Sequence, residues 1–162
     1  MIGLEKIGNS KTRVYAGANQ VFGNLSNFNT NNTSGYFLRF YGHIDVNLTE
    51  KLNSFLTIAY SPHGEVAKLP FQSSLGLNWT GLVNSRVEDR VLFFATVGAF
   101  SKEWAAAQSN KLSPEVVLEL GYRFQITDYF VLQPAVQYDI RPGGSGIIDN
   151  AIIPGVWIEA NF

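Results

Sequence analysis

The sequence has no cysteine, and a single methionine among its 162 residues. Without thiols it can build neither a disulfide scaffold nor a thiolate metal site. Charge is also scarce. Charged residues make up 15% of the chain, against roughly 25% in soluble domains. The two signs nearly cancel, with 12 Lys and Arg against 13 Asp and Glu, for a net charge of −1. No basic excess exists to neutralise phosphates, which argues against nucleic acid as a partner. No apolar run approaches the ~18 residues of a membrane helix. The N-terminal MIGLEKIGNSKTR lacks the apolar stretch of a signal peptide; if the protein is exported, a longer precursor is expected. GxSxG and HExxH motifs are missing, and the only histidines are His43 and His63. The chain is therefore read as a non-enzyme without cofactor or metal. What it has in quantity is apolar and aromatic material, 46% and 14% of residues, enough to exclude disorder. The length fits one domain, residues 1–162, with residues 1–11 of uncertain order.

That apolar material repeats with period two. Val116, Leu118, Leu120, Tyr122, Phe124 and Ile126 alternate with Glu119, Arg123 and Gln125. Phe130, Leu132, Pro134, Val136, Tyr138 and Ile140 alternate with Gln133, Gln137 and Asp139, and Ile152–Phe162 repeats the pattern around Glu159 and Asn161. Such alternation marks strands with one apolar and one polar face. Gly35–Leu48 reads the same way, with Arg39, His43, Asp45 and Asn47 on the polar side. Arg13–Phe22, Ser54–Ser61, Gln72–Val83 and Val91–Phe100 complete about eight strands, and Lys102–Ser109 fits one short helix inside a loop. Connectors alternate between short (Thr49–Asn53, Asn84–Arg90, Thr127–Tyr129) and long (Gly23–Ser34, Pro62–Pro70, Ser101–Glu115, Arg141–Asn150). This is the loop asymmetry of an up-and-down outer-membrane barrel.

Periodicity alone does not say which way the apolar face points. A lipocalin-like soluble carrier turns it inward, a membrane barrel outward. All six lysines (Lys6, Lys11, Lys51, Lys68, Lys102, Lys111) fall outside the strands, whereas a water-facing sheet surface carries lysines, not least to protect its edges. Every charge inside the clearly alternating strands lies on the polar face. The chain also stops at Phe162, on an alternating strand. These features favour an all-β transmembrane antiparallel barrel with its apolar face in lipid.

Particular segments then resemble a known family. LQPAVQYDIRPGGSGIIDNAIIPGVWIEANF (132–162) is similar to the closing strands of carbohydrate-selective porins of the OprB type, EVVLELGYRFQIT (115–127) to the strand before them, and LGLNWTGLVNSRVEDRV (75–91) to that family's "GL.Y.GL.PGR.DD" strand–turn–strand; VYAGANQVFGNLSN and GYFLRFYGHIDV fit more loosely. The resemblance covers the C-terminal half of a 16-stranded barrel. It implies passive diffusion of mono- or small saccharides across the bacterial outer membrane, with lipid as surroundings, Phe162 as assembly signal, and a missing N-terminal half or other porin chains as partner. Ala135 departs from the family's usual acid, and Trp157 lies where an Arg is expected, so the sugar is left open.

The residues expected to line the pore and contact sugar are Arg39, His43, Asp45, Asn78, Glu119, Arg123, Gln125, Gln137, Asp139 and Glu159. Phe37, Tyr41 and Trp157 on the polar face could offer sugars a stacking surface or fill the interior. Glu115 and Glu119 are about 13 Å apart along the strand, too far for paired catalytic carboxylates. A closed eight-stranded barrel is filled by its own side chains, so conduction is expected to need another eight strands. Two alternatives remain: a self-closed eight-stranded barrel with a structural or adhesive role, and a soluble lipocalin-like carrier.

Overall fold

A computed structural model describes residues 2–5, 11–108 and 111–161. The assembly signal expected at Phe162 and the end of the expected helix at Ser109 lie outside those residues. The described chain forms one antiparallel sheet of nine strands in sequence order. They are β1 (Ile2–Glu5), β2 (Thr12–Ser26), β3 (Thr33–Asn47), β4 (Leu52–Tyr60), β5 (Phe71–Thr80), β6 (Arg90–Ala99), β7 (Glu115–Thr127), β8 (Phe130–Ile140) and β9 (Ala151–Ala160). Every neighbouring pair is antiparallel, so the sheet is a meander. The eight strands read from the sequence are all present. Ile2–Glu5 adds a ninth, in register from Ile2↔Ala18 to Glu5↔Tyr15. Among the described residues no pairing joins β1 to β9, so the sheet is open.

Helix α1 (Lys102–Ala107) sits in the β6–β7 connection, capped by the Ser101 side chain accepting from the Trp104 N–H at 2.8 Å. The expected loop Gly23–Ser34 shrinks to residues 27–32, because β2 and β3 each run for 15 residues. A bulge at Phe22/Leu25, with Gly23 at φ 152°, lets pairing resume at Leu25↔Ser34 and Ser26↔Thr33. Polar Asn and Ser residues there looked like loop, but backbone pairing carries them. The described lysines all lie outside the strands.

The register sets an apolar face against a mixed, more polar one. One row across the sheet reads Val14, Ile44, Leu56, Leu75, Ala95, Leu118, Tyr138, Ile152. The next row on the opposite face reads Tyr15, His43, Thr57, Ser74, Thr96, Val117, Asp139, Ala151. The apolar face is the open one: Leu75 is 48%, Leu120 53% and Ile152 72% exposed. Among the described residues the buried apolar side chains are only Ala59, Ala67, Leu92 and Val131.

Three contacts establish which face is concave. Arg39 on β3 donates to Gln72 on β5, Phe55 on β4 meets Phe94 on β6 at 5.7 Å between ring centroids, and Arg123 on β7 donates to Glu159 on β9 at 2.9 Å. Each skips a strand, spanning about 9.5 Å of backbone. All three lie on the polar face, as a sheet that curls toward that face favours.

Candidate functional site

The candidate site is this concave wall. At mid-height, β4 to β8 contribute Phe55, Thr57, Ser74, Phe94, Thr96, Val117, Glu119 and Gln137 to a groove of about 510 Å³. Short polar bonds tie neighbouring strands together across it. His43 Nδ1 lies 2.8 Å from Thr57 Oγ1, Ser74 Oγ lies 2.9 Å from Thr96 Oγ1, and Gln137 Nε2 donates to Glu119 Oε2 at 2.6 Å. Asp45 accepts from Arg13 at 3.3 Å and from Asn53 at 2.8 Å. These bonds follow from register: the partners stand directly opposite one another on adjacent strands, except Asn53, which reaches Asp45 diagonally. Two oxygens, Asn78 Oδ1 and Asp139 Oδ1, are shielded and accept no hydrogen bond from the described residues.

At the long-loop end, the β4–β5 connection folds over the wall. Ser61 is buried and donates to the Leu38 carbonyl at 2.7 Å. Leu69 packs over Gly98, and the Lys68 carbonyl accepts from Ser101 at 3.0 Å. The Lys68 ammonium lies 5.1 Å from the Trp104 ring centroid, and Phe28 meets that ring edge-on at 5.0 Å. Glu65 joins the loops by accepting from Ser34 at 3.3 Å and lying 3.1 Å from His63 Nδ1. Burial pushes its carboxyl up, but bonds from its own backbone, His63 and Ser34 outweigh that and hold it below the usual carboxylate range. Beneath these loops Arg39, Lys68 and Gln72 border a cleft of about 420 Å³ floored by Phe37, Val21 and Leu25.

Of the sequence-predicted residues, Arg39, His43, Asp45, Asn78, Glu119, Gln137 and Asp139 project from the concave face in adjoining rows. Arg123 and Glu159 form a separate ion pair nearer the short-turn end, beside Trp157 in a cleft of about 170 Å³. Glu119 and Arg123 do not pair with each other; each takes a cross-strand partner. Gln125 shares this face, opposite Val131, at the short-turn end. Its backbone N–H donates to Asp89 at 2.9 Å and its carbonyl accepts from Arg86 at 3.3 Å, binding it into the β5–β6 turn.

The sequence reading missed an aromatic track on the same wall. Tyr15, His43, Phe55 and Phe94 follow one another at centroid separations of 5.7, 5.6 and 5.7 Å. Phe93 and Phe94 are adjacent and both aromatic, which masks the alternation of β6. Gly76 is the hidden signal: a Cβ there would overlap the Phe55 and Phe94 rings.

Comparison with known proteins agrees with this wall. The family model for the carbohydrate-selective porin, OprB family, matches residues 4–162. The chain belongs to this porin family. It is 26% identical over 162 aligned residues to the putative porin QuiX of Acinetobacter baylyi, covering 98% of this chain and 36% of that protein. It is 29% identical over 108 residues to Porin B of Pseudomonas aeruginosa, covering 64% of this chain and 24% of Porin B. Its fold superposes on a high-pH structure of Pseudomonas putida OprB with a TM-score of 0.88 at 16% identity, over 99% of this chain and 47% of that one. The OprB-family chain described here thus spans well under half the length of the two curated porins it matches.

Proposed function

We propose that this chain forms part of the wall of a bacterial outer-membrane channel through which carbohydrates and other small hydrophilic solutes diffuse passively. The observation that carries the reading is the division of faces. Apolar rows are exposed on the convex side, where lipid would cover them, and a hydrogen-bonded polar grid lines the concave side. Arg39, His43, Asp45, Asn78, Glu119, Gln137 and Asp139 serve as the hydrophilic lining, with Arg123 and Glu159 nearer the short-turn end. The unpartnered oxygens of Asn78 and Asp139 are suited to water or a solute hydroxyl. Tyr15, Phe55 and Phe94 offer ring faces to the apolar side of a sugar. Selectivity follows from pore width and lining polarity, and no covalent step is required.

The test is solute flux through proteoliposomes in which this sheet has been completed to a closed barrel. Ser74→Trp narrows the mid-wall groove and is expected to slow sugar-driven swelling several-fold, with Leu120→Trp on the convex face leaving it unchanged. Equal flux through both variants would remove the assignment of the lining.

A further inference from the structure

The cleft at the long-loop end carries an inference about the charge of the solute, resting on the porin reading above. Its lining is unlike that of the mid-wall groove. Arg39 reaches it from β3, Lys68 from the β4–β5 connection and Gln72 from β5, over the apolar floor of Phe37, Val21 and Leu25. Both charged side chains that line it are cations; no carboxylate does, among the described residues. Lower on the wall the balance is reversed. Asp45 is matched by Arg13, and the mid-wall groove holds Glu119 with no cation in its lining.

The cations of the cleft have no anionic partner of their own. Among the described residues, neither Arg39 nor Lys68 forms an ion pair. Arg39 is half-buried and donates to the neutral Gln72 side-chain oxygen, which leaves the other N–H groups of its guanidinium fork for a ligand. Lys68 is exposed at the rim. Its ammonium stands 5.1 Å from the Trp104 ring centroid and 6.0 Å from that of Phe100, contacts that position the charge without cancelling it. The carboxylates of the neighbouring loops are placed elsewhere: Glu65 accepts from Ser34 and faces His63, and the Glu103 carboxylate lies against Gly64. The connection that bears Lys68 is itself tied down. The Ser61 N–H donates to the Pro70 carbonyl at 2.7 Å and the Ala67 N–H to the His63 carbonyl at 2.8 Å. The positive charges are therefore in place before a solute arrives.

A neutral sugar hydroxyl both donates and accepts, so a neutral sugar is best met by donors and acceptors together. Guanidinium and ammonium groups only donate, and a carboxylate or phosphate accepts from both. The cleft volume of about 420 Å³ falls within the ~300–1,000 Å³ of small-molecule sites. We infer that this cleft is a binding subsite for an anionic monosaccharide, a hydroxylated ring carrying one carboxylate or phosphate, with Arg39 and Lys68 holding the anionic group and the Phe37 floor taking the ring. Partial exposure of both cations keeps the hold weak enough to release the solute.

The full chain, refolded in detergent, is titrated with glucuronate, a glucose phosphate, glucose and the uncharged methyl ester of glucuronate, with binding read by saturation-transfer NMR of the sugar. At least one of the two anions should bind several-fold tighter than both neutral sugars, and added salt should erode that advantage. Which anion holds the advantage distinguishes carboxylate from phosphate. Arg39→Gln and Lys68→Gln should each reduce it several-fold, with Lys68→Arg retaining it. Lys68 is exposed on a connection, so its variants test the subsite even if Arg39→Gln fails to fold. Equal binding of anions and neutral sugars, no binding of either anion, or an advantage untouched by Lys68→Gln overturns the inference. Glucose flux in the proteoliposomes described above reports the porin reading separately: flux that persists while the anion advantage is missing removes this subsite alone.

Discussion

At the scale of single residues, two positions show how the wall is held. Gly76 is required by space. The Phe55 and Phe94 rings close over it from the flanking strands, so Gly76→Ala forces at least one ring out of place. Overpacking of this kind costs about 1–3 kcal/mol. Denaturant unfolding of detergent-refolded protein should register that loss, and adding Phe55→Ala should recover part of it. Asp89 is required by polarity. Only 3% exposed, it accepts from Arg86 at 2.7 and 3.0 Å, from Tyr122 at 3.0 Å and from the Gln125 N–H at 2.9 Å. Arg86 first, then the Gln125 and Tyr122 bonds, hold its carboxyl below the usual carboxylate range. Its contribution to stability is present above the unfolded-state pKa and is lost as pH falls through the depressed folded value. Acid titration of unfolding should therefore reveal a loss below the ordinary carboxylate pKa that Asp89→Asn lacks. Asp89→Ala, which leaves the Tyr122 hydroxyl and Gln125 N–H without an acceptor, should cost about 1–3 kcal/mol at neutral pH.

At the scale of strands, the prediction concerns faces. Leu120 on β7 lies between Phe93 and Val136 on the convex side, whereas Thr96 on β6 lies between Ser74 and Val117 on the concave side. Leu120→Arg should destabilise the membrane-inserted protein by about 2–4 kcal/mol, as a cation near mid-bilayer does. Thr96→Arg should cost far less, because water can reach its head group. Unfolding from phospholipid vesicles measures both. The same elements explain what the sequence made legible. β7, β8 and β9 are legible because their convex positions are apolar and their charged side chains all fall on the concave face, the pattern that the proposed lipid-facing wall requires. β4 to β6 are blurred where Gly76, Ala95 and the Phe93–Phe94 pair break the contrast. Ile2–Glu5 is too short to display a period at all, and emerges only as a partner for β2. The aromatic track and the Arg39–Gln72 and Arg123–Glu159 links depend on curvature, which period-two patterning does not encode. Gln125 keeps the alternation of the wall, opposite Val131, while its backbone N–H donates to Asp89 in the neighbouring turn.

At the scale of the whole molecule, the proposed function rests on one relation: that the convex face meets hydrocarbon and the concave face meets water. The family match, the polar grid and the open sheet edges take their meaning from it. The direct measurement is a pair of single spin labels, at Leu120 and at Thr96, in protein inserted into lipid vesicles as a completed barrel. The Leu120 label should be relaxed by oxygen dissolved in the bilayer and ignored by a water-soluble nickel chelate, with the Thr96 label responding in the reverse manner. A Leu120 label sheltered from lipid, or a Thr96 label relaxed from within the bilayer, would contradict the account.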